Sequence, residues 1–186
     1  MEKVIIKTLI FLVVSVIIIY FSKSSINKPR SHGFYRFFAW ESILALVLLN
    51  IDSWFTNPFS VTQMVSWILL IISLFLIIHA VILLRKTGKP SDTRSDSALL
   101  SLEKTTILVV KGPYRYIRHP FYSSLLFLCW GVFLKSVSIV GLVLAIMATM
   151  FLVLTGKSEE KEDIQYFGNP YVEYMKKTKM FIPFIF

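Results

Sequence analysis

Charge is scarce in this chain of 186 residues: Asp, Glu, Lys and Arg make up 17%, against 55% hydrophobic residues and a mean hydropathy of +0.68. A soluble domain carries about a quarter charged residues, so the composition excludes one and leaves a membrane protein. Cysteine is limited to Cys129 in an apolar run, so neither an intramolecular disulfide nor a thiolate metal site can form. Its apolar setting raises the thiol pKa and leaves it as inert packing. Histidine is nearly as rare (His32, His79, His119), and no metal is expected. Glycine and proline, seven each and without period, exclude collagen-like and repeat architectures, while 15% aromatics exclude disorder.

The chain does have apolar tracts, to be measured against a hydrocarbon core of about 30 Å, or about 20 helical residues. Five candidate spans follow: Val4 to Phe21, Phe37 to Phe55, Val61 to Leu84, a short one from Phe121 to Leu134, and Val137 to Leu154. Runs such as Ile68 to Ile78 lack the apolar–polar alternation of barrel strands, which excludes a β-barrel. The expected fold is all-α: a polytopic transmembrane helical bundle, its last two spans a hairpin broken at Lys135-Ser136, with a cytoplasmic C-terminal amphipathic helix. Residues 1–84 form three N-terminal spans, and residues 85–186 form the region expected to carry chemistry.

Sorting Lys and Arg by side gives a lopsided result. Lys3, Lys7 and Lys135 lie on one face and the other seventeen on the opposite one, so the positive-inside rule puts the N-terminus outside and the C-terminus in the cytoplasm. Lys3 and Lys7 pull the other way. A signal peptide is the rival reading of residues 1–22, but no small-residue cleavage site follows Phe21, so the segment reads as an uncleaved anchor. The net charge of +9 then faces anionic lipid, and nucleic acid is not an expected partner.

Two cytoplasmic segments break the apolar background. The first opens with a polar, turn-rich loop from Thr87 to Ser97 and ends in Lys111-Gly112-Pro113-Tyr114-Arg115-Tyr116-Ile117-Arg118-His119-Pro120-Phe121-Tyr122. Pro120 suits the first position of a helix, whose free backbone N–H groups attract anions. Arg118 and His119 at that start, with Tyr122 less than a turn inside, suit a carboxylate or phosphate. An ordinary interfacial belt of snorkelling cations and aromatics is the competing reading. The second segment carries Glu159 and Glu160. If the fifth helix continues through them, they meet Arg118 and His119 across the hairpin; otherwise they form a solvated face paired with Lys157 and Lys161. Gly168-Asn169-Pro170 stops that helix, and Tyr171, Tyr174 and Met175 then lay an apolar face on the membrane or the bundle.

Taken together, Gly112-x-Tyr114, Arg118-His119-Pro120-x-Tyr122, one helical hairpin, Glu159-Glu160, Phe167-Gly168, Tyr171, Tyr174 and a closing Pro183 resemble the isoprenylcysteine carboxyl methyltransferase and phospholipid methyltransferase group of membrane enzymes. The resemblance covers roughly residues 99 to 186. It implies S-adenosylmethionine as cofactor, with Gly112, Tyr114, His119, Pro120, Phe121, Tyr122 and Glu159 as contacts, and Arg118, His119 and Glu160 at the reacting centre. It also implies a membrane lipid or small hydrophobic acceptor. The substrate arginine of the prenylcysteine enzymes corresponds here to Thr155; Ser124 and Asp163 also depart from the pattern. Glu41, costly if it faced lipid, is a further candidate substrate residue. His79 reads as structural and His32 as solvated. Two alternatives come from other classes: an NADPH-dependent membrane sterol-reductase-like enzyme, and a non-enzymatic lipid-binding protein.

Overall fold

The structure, a computed structural model, describes residues 1–91 and 104–185; the loop reading beyond Ser91 lies outside the described residues. Six α-helices follow in order: α1 (Glu2–Ile26), α2 (His32–Asn50), α3 (Val61–Thr87), α4 (Pro120–Phe133), α5 (Ile139–Phe167) and α6 (Asn169–Lys177). Short 3-10 turns at Ile51–Ser53 and Gly112–Arg115 precede α3 and α4. Serines mark three helix starts: the Oγ atoms of Ser31, Ser60 and Ser138 accept from the N–H groups of Phe34, Gln63 and Gly141. Pro120 opens α4 at its first position, as the sequence predicts. Gly168 ends α5 with φ +64, a left-handed conformation that only glycine adopts at no cost.

Among the described residues, four helices (α1, α2 with its 3-10 extension, α3 and α5) are long and apolar enough to cross a membrane. The expected fifth span, α4, is a helix of 14 residues, about 21 Å, and ends inside the bundle. Packing runs across the two halves of the sequence, with α2 on α5, α3 on α4, and α1 chiefly on α2. Ile43 and Leu46 of α2, Cys129 and Val132 of α4, and Ala145 and Ala148 of α5 share one core. The small residues let the backbones approach closely. None of the most apolar stretch of α1 is buried in protein, which assigns its Val, Ile and Leu side chains to lipid.

One expectation is corrected by the packing. His32 is not solvated: α2 begins five residues before its apolar tract, and His32 is fully buried with Nδ1 2.6 Å from Glu162 Oε2 of α5. Lys135, at the expected break between the last two spans, is enclosed by other helices. It is buried at the α4–α5 turn, donating to Gln63 Oε1 at 3.0 Å, with its ammonium 3.6 Å from the Trp67 ring centroid. His79 is satisfied by the Phe75 carbonyl at 2.9 Å, although its ring lies on the outer face of α3.

Beyond α6 the chain returns to the start of α4. Ile117 and Lys179 form a parallel bridge; Arg118 N donates to Lys179 O at 2.8 Å and His119 N to Met180 O at 3.1 Å. Phe181 is thereby buried under α4, and Ser123 Oγ donates to its carbonyl at 2.8 Å.

Candidate functional site

Three elements meet where α4 begins. Arg118 donates through Nε to Glu160 Oε1 at 2.5 Å, and through Nη1 to the carbonyls of Thr178 at 2.5 Å and Met175 at 3.3 Å. The guanidinium therefore ties α5 to α6 and to the C-terminal segment. The partner carboxylate is internal, where the sequence suggested an external anion. Both side chains are about nine-tenths buried, so each needs the other: an unpaired charge there would carry its full desolvation cost.

His119 sits between the two glutamates, with Nδ1 3.6 Å from Glu159 Oε2 and Nε2 3.4 Å from Glu160 Oε1. Its ring stacks on Tyr122 at 5.5 Å between centroids and lies 6.0 Å from Phe181. The continuous α5 helix puts the carboxylates there, so opposite charges do meet across the hairpin. Gly156 on α5 permits the approach of the C-terminal segment, because a Cβ at that position would stand 3.1 Å from Phe181 Cζ and 3.5 Å from His119 Cδ2.

A pocket partly open to solvent, with about 70 Å³ of enclosed space, adjoins this cluster. Tyr114, Arg118, His119, Phe121, Tyr122 and Glu159, all singled out by sequence, line it. Glu160 stands behind the wall in its pair with Arg118. Gly112 and Pro120 shape the wall without lining it: Gly112 has φ +59, and a Cβ there would meet Leu83 Cδ1 at 2.7 Å. Thr155 is fully buried away from the pocket and donates to Phe151 O at 2.7 Å. Glu41 also lies elsewhere, accepting from Ser15 Oγ of α1 at 2.7 Å.

Sequence reasoning missed Asp163, Phe167, Tyr171 and Tyr174 as lining residues. Glu159, Asp163 and Phe167 recur at every fourth position, one face of a helix, and that signal was available. The two tyrosines of α6 face the pocket rather than the membrane, and Tyr174 donates to Tyr114 O at 2.6 Å. Burial pushes both phenols well above the ordinary tyrosine range, and the carboxylates of Asp163, Glu159 and Glu160 push Tyr171 further. They act as neutral hydroxyls. Among the described residues no cluster of three His, Cys, Asp or Glu side chains could hold a metal ion.

Fold and pocket together define a helical membrane protein with an aromatic-walled, carboxylate-bearing cleft. The sequence pattern of the phospholipid methyltransferase family matches residues 61–170, well over half the chain and all of the pocket lining except Tyr171 and Tyr174. The chain belongs to that family. It is also similar to methanethiol S-methyltransferase of Crocosphaera subtropica, with 27% identity over 178 residues covering 86% of this chain and 64% of that protein. Protein-S-isoprenylcysteine O-methyltransferase B of Arabidopsis thaliana is 32% identical over 108 residues, 55% of this chain and 54% of that protein. The Xenopus laevis protein-S-isoprenylcysteine O-methyltransferase is 27% identical over 172 residues, 87% and 58% respectively. The chain thus spans between about half and two-thirds of the length of these relatives. No solved structure matches it.

Proposed function

We propose that this protein is an integral membrane methyltransferase (EC 2.1.1) that uses S-adenosylmethionine and methylates a lipidic or small hydrophobic acceptor. The observation that carries the reading is the composition of one pocket: the rings of Tyr114, Phe121, Tyr122, Phe167 and Tyr171 around the carboxylates of Glu159 and Asp163. Aromatic faces and carboxylates are complementary to a cation, and the cofactor presents a sulfonium and an ammonium. The family and the named relatives support methyl transfer and do not support the reductase alternative.

In this reading Glu159 and Asp163 hold the ammonium, the tyrosine rings face the sulfonium, and His119 with the start of α4 receives the carboxylate. When bound, the cofactor supplies the electrophilic methyl group. The protein's task is positioning two reactants in line, which needs neither a strong acid nor a metal. Arg118 and Glu160 serve by locking α4, α5 and α6 around the pocket. Phe121, on α4, gives the pocket an apolar side for a hydrophobic acceptor. The segregation of Lys and Arg supports an external N-terminus, with the pocket on the cytoplasmic face.

Calorimetric titration of the detergent-purified protein with S-adenosylhomocysteine, and separately with NADPH, tests the reading. Micromolar binding of the first ligand, weakened about tenfold or more in Glu159→Gln and in Tyr114→Ala, is expected. Binding of NADPH alone would replace the reading with a reductase, and binding of neither would leave a lipid-binding protein.

A further inference from the structure

Away from the pocket, the end of α6 carries an arrangement that methyl transfer does not use. Tyr116, Lys176, Lys177, Lys179 and Phe184 line a concave notch of about 500 Å³ between the end of α6, the Ile117–Lys179 bridge and the final turn of the described chain. Arg115 adjoins it, its guanidinium carbon 6.0 Å from the Tyr116 ring centroid. Lys176 is bonded to Glu173 at 2.6 Å. Among the described residues, Arg115, Lys177 and Lys179 have no acidic partner, so the notch holds an excess of positive charge open to solvent.

Charge alone would suit any anion, but two further features select among them. Phe184 and Ile185 are 85% and 75% exposed, and the Phe184 ring turns toward Tyr116, 6.4 Å between centroids, instead of into the core. Phe184 also has φ +66, a conformation costly for any residue with a Cβ. Depth is fixed by the bridge: Lys179 pairs with Ile117, three residues before α4 enters its apolar run, so the notch is level with the boundary of the hydrocarbon region. Cations and aromatic rings at that level meet headgroups, while the apolar side chains beside them meet acyl chains.

We propose that this notch docks the phosphate-bearing headgroup of an anionic phospholipid of the surrounding bilayer, with Lys177, Lys179 and Arg115 on the phosphate and Phe184 against the chains. The proposal is independent of what occupies the pocket on the other side of α6.

Native mass spectrometry of the detergent-solubilised full chain, mixed in turn with phosphatidylglycerol and phosphatidylcholine of identical acyl chains, tests it. Wild type is expected to retain phosphatidylglycerol preferentially. Lys177→Gln with Lys179→Gln should reduce that retention roughly tenfold or more, given the contribution of each cation at an anionic surface. Phe184→Ala should weaken retention of both lipids while keeping the preference. An unchanged unfolding midpoint shows that the variants remain folded. Equal retention of the two lipids by wild type, or full retention of phosphatidylglycerol by the double variant, would overturn the proposal. So would calorimetric binding of inorganic phosphate by a protein that retains no phosphatidylglycerol, since that is a soluble-anion site.

Discussion

The two ends of α4 carry two buried polar clusters that look alike in sequence and differ in purpose. At the far end, the amide, hydroxyl and ammonium donors run to backbone carbonyls or to a neighbouring side chain. Asn50 Nδ2 donates to Val132 O at 2.9 Å, Ser66 Oγ to Gly131 O at 2.6 Å, Gln63 Nε2 to Lys135 O at 3.1 Å, and Lys135 Nζ back to Gln63 Oε1. The last carbonyls of any helix lack intrahelical partners, and α4 ends where little water can supply them. Side chains from α2 and α3 do so instead. At the near end, Arg118, His119, Glu159 and Glu160 also interlock, but two carboxylates, Glu159 and Asp163, face open volume. Burial of polar groups therefore does not identify a functional site. Carboxylates that line an open pocket do.

The comparison breaks most sharply at Arg118. Arg118→Ala leaves the buried Glu160 with only His119, at 3.4 Å, and strips the Thr178 and Met175 carbonyls of their donor, and is expected to lower stability by about 3 kcal/mol, read as a fall in the unfolding midpoint in detergent. Arg118→Met combined with Glu160→Leu should recover most of that loss, because an apolar pair of similar volume carries no desolvation cost. If the double variant is as unstable as the single one, the pair holds the fold by more than mutual neutralisation.

Glu159→Gln should act on binding rather than on stability. Losing one charge-assisted contact costs about 1.5–3 kcal/mol, roughly ten- to a hundredfold in affinity for S-adenosylhomocysteine, with the unfolding midpoint nearly unchanged. At the far end, Asn50→Ala should do the reverse. It removes one of the two donors to the Val132 carbonyl, leaving the Lys135 N–H at 3.1 Å, and is expected to cost about 0.5–1.5 kcal/mol of stability while leaving ligand affinity as in wild type. Parallel thermal melts and titrations on the two variants separate the clusters; equal effects on both readouts would erase the distinction.

Local signals made much of this legible. Pro120 fixes the start of α4, and the helical pattern continuing through Glu159 and Glu160 brings the glutamates to Arg118 and His119. What escaped depends on distant partners. His32 reads as solvated beside Lys28 and Arg30, and only its contact with Glu162, 130 residues away, buries it. Lys135 reads as a loop charge because Trp54, Trp67 and Gln63, which enclose it, come from the other half of the chain. Thr155 enters through the resemblance and Glu41 through the cost of facing lipid, but neither lines the pocket.

The smallest predicted change tests whether the near cluster depends on the C-terminal segment for its geometry. Gly156→Ala introduces a methyl 3.1 Å from Phe181 Cζ and 3.5 Å from His119 Cδ2. Overpacking of this kind costs about 1 kcal/mol or more, while replacing a mid-helix glycine returns about 0.5–1 kcal/mol, so net stability should change by less than about 1 kcal/mol. Binding should not be neutral. The methyl pushes Phe181 away from α5, and Phe181 packs on His119, which is held between Glu159 and Tyr122 on the pocket wall. A measurable loss of S-adenosylhomocysteine affinity at nearly constant unfolding midpoint would show that the returning C-terminal chain sets the position of a binding residue. Unchanged affinity would mean that the pocket tolerates movement of Phe181, and that the segment serves only to close the bundle.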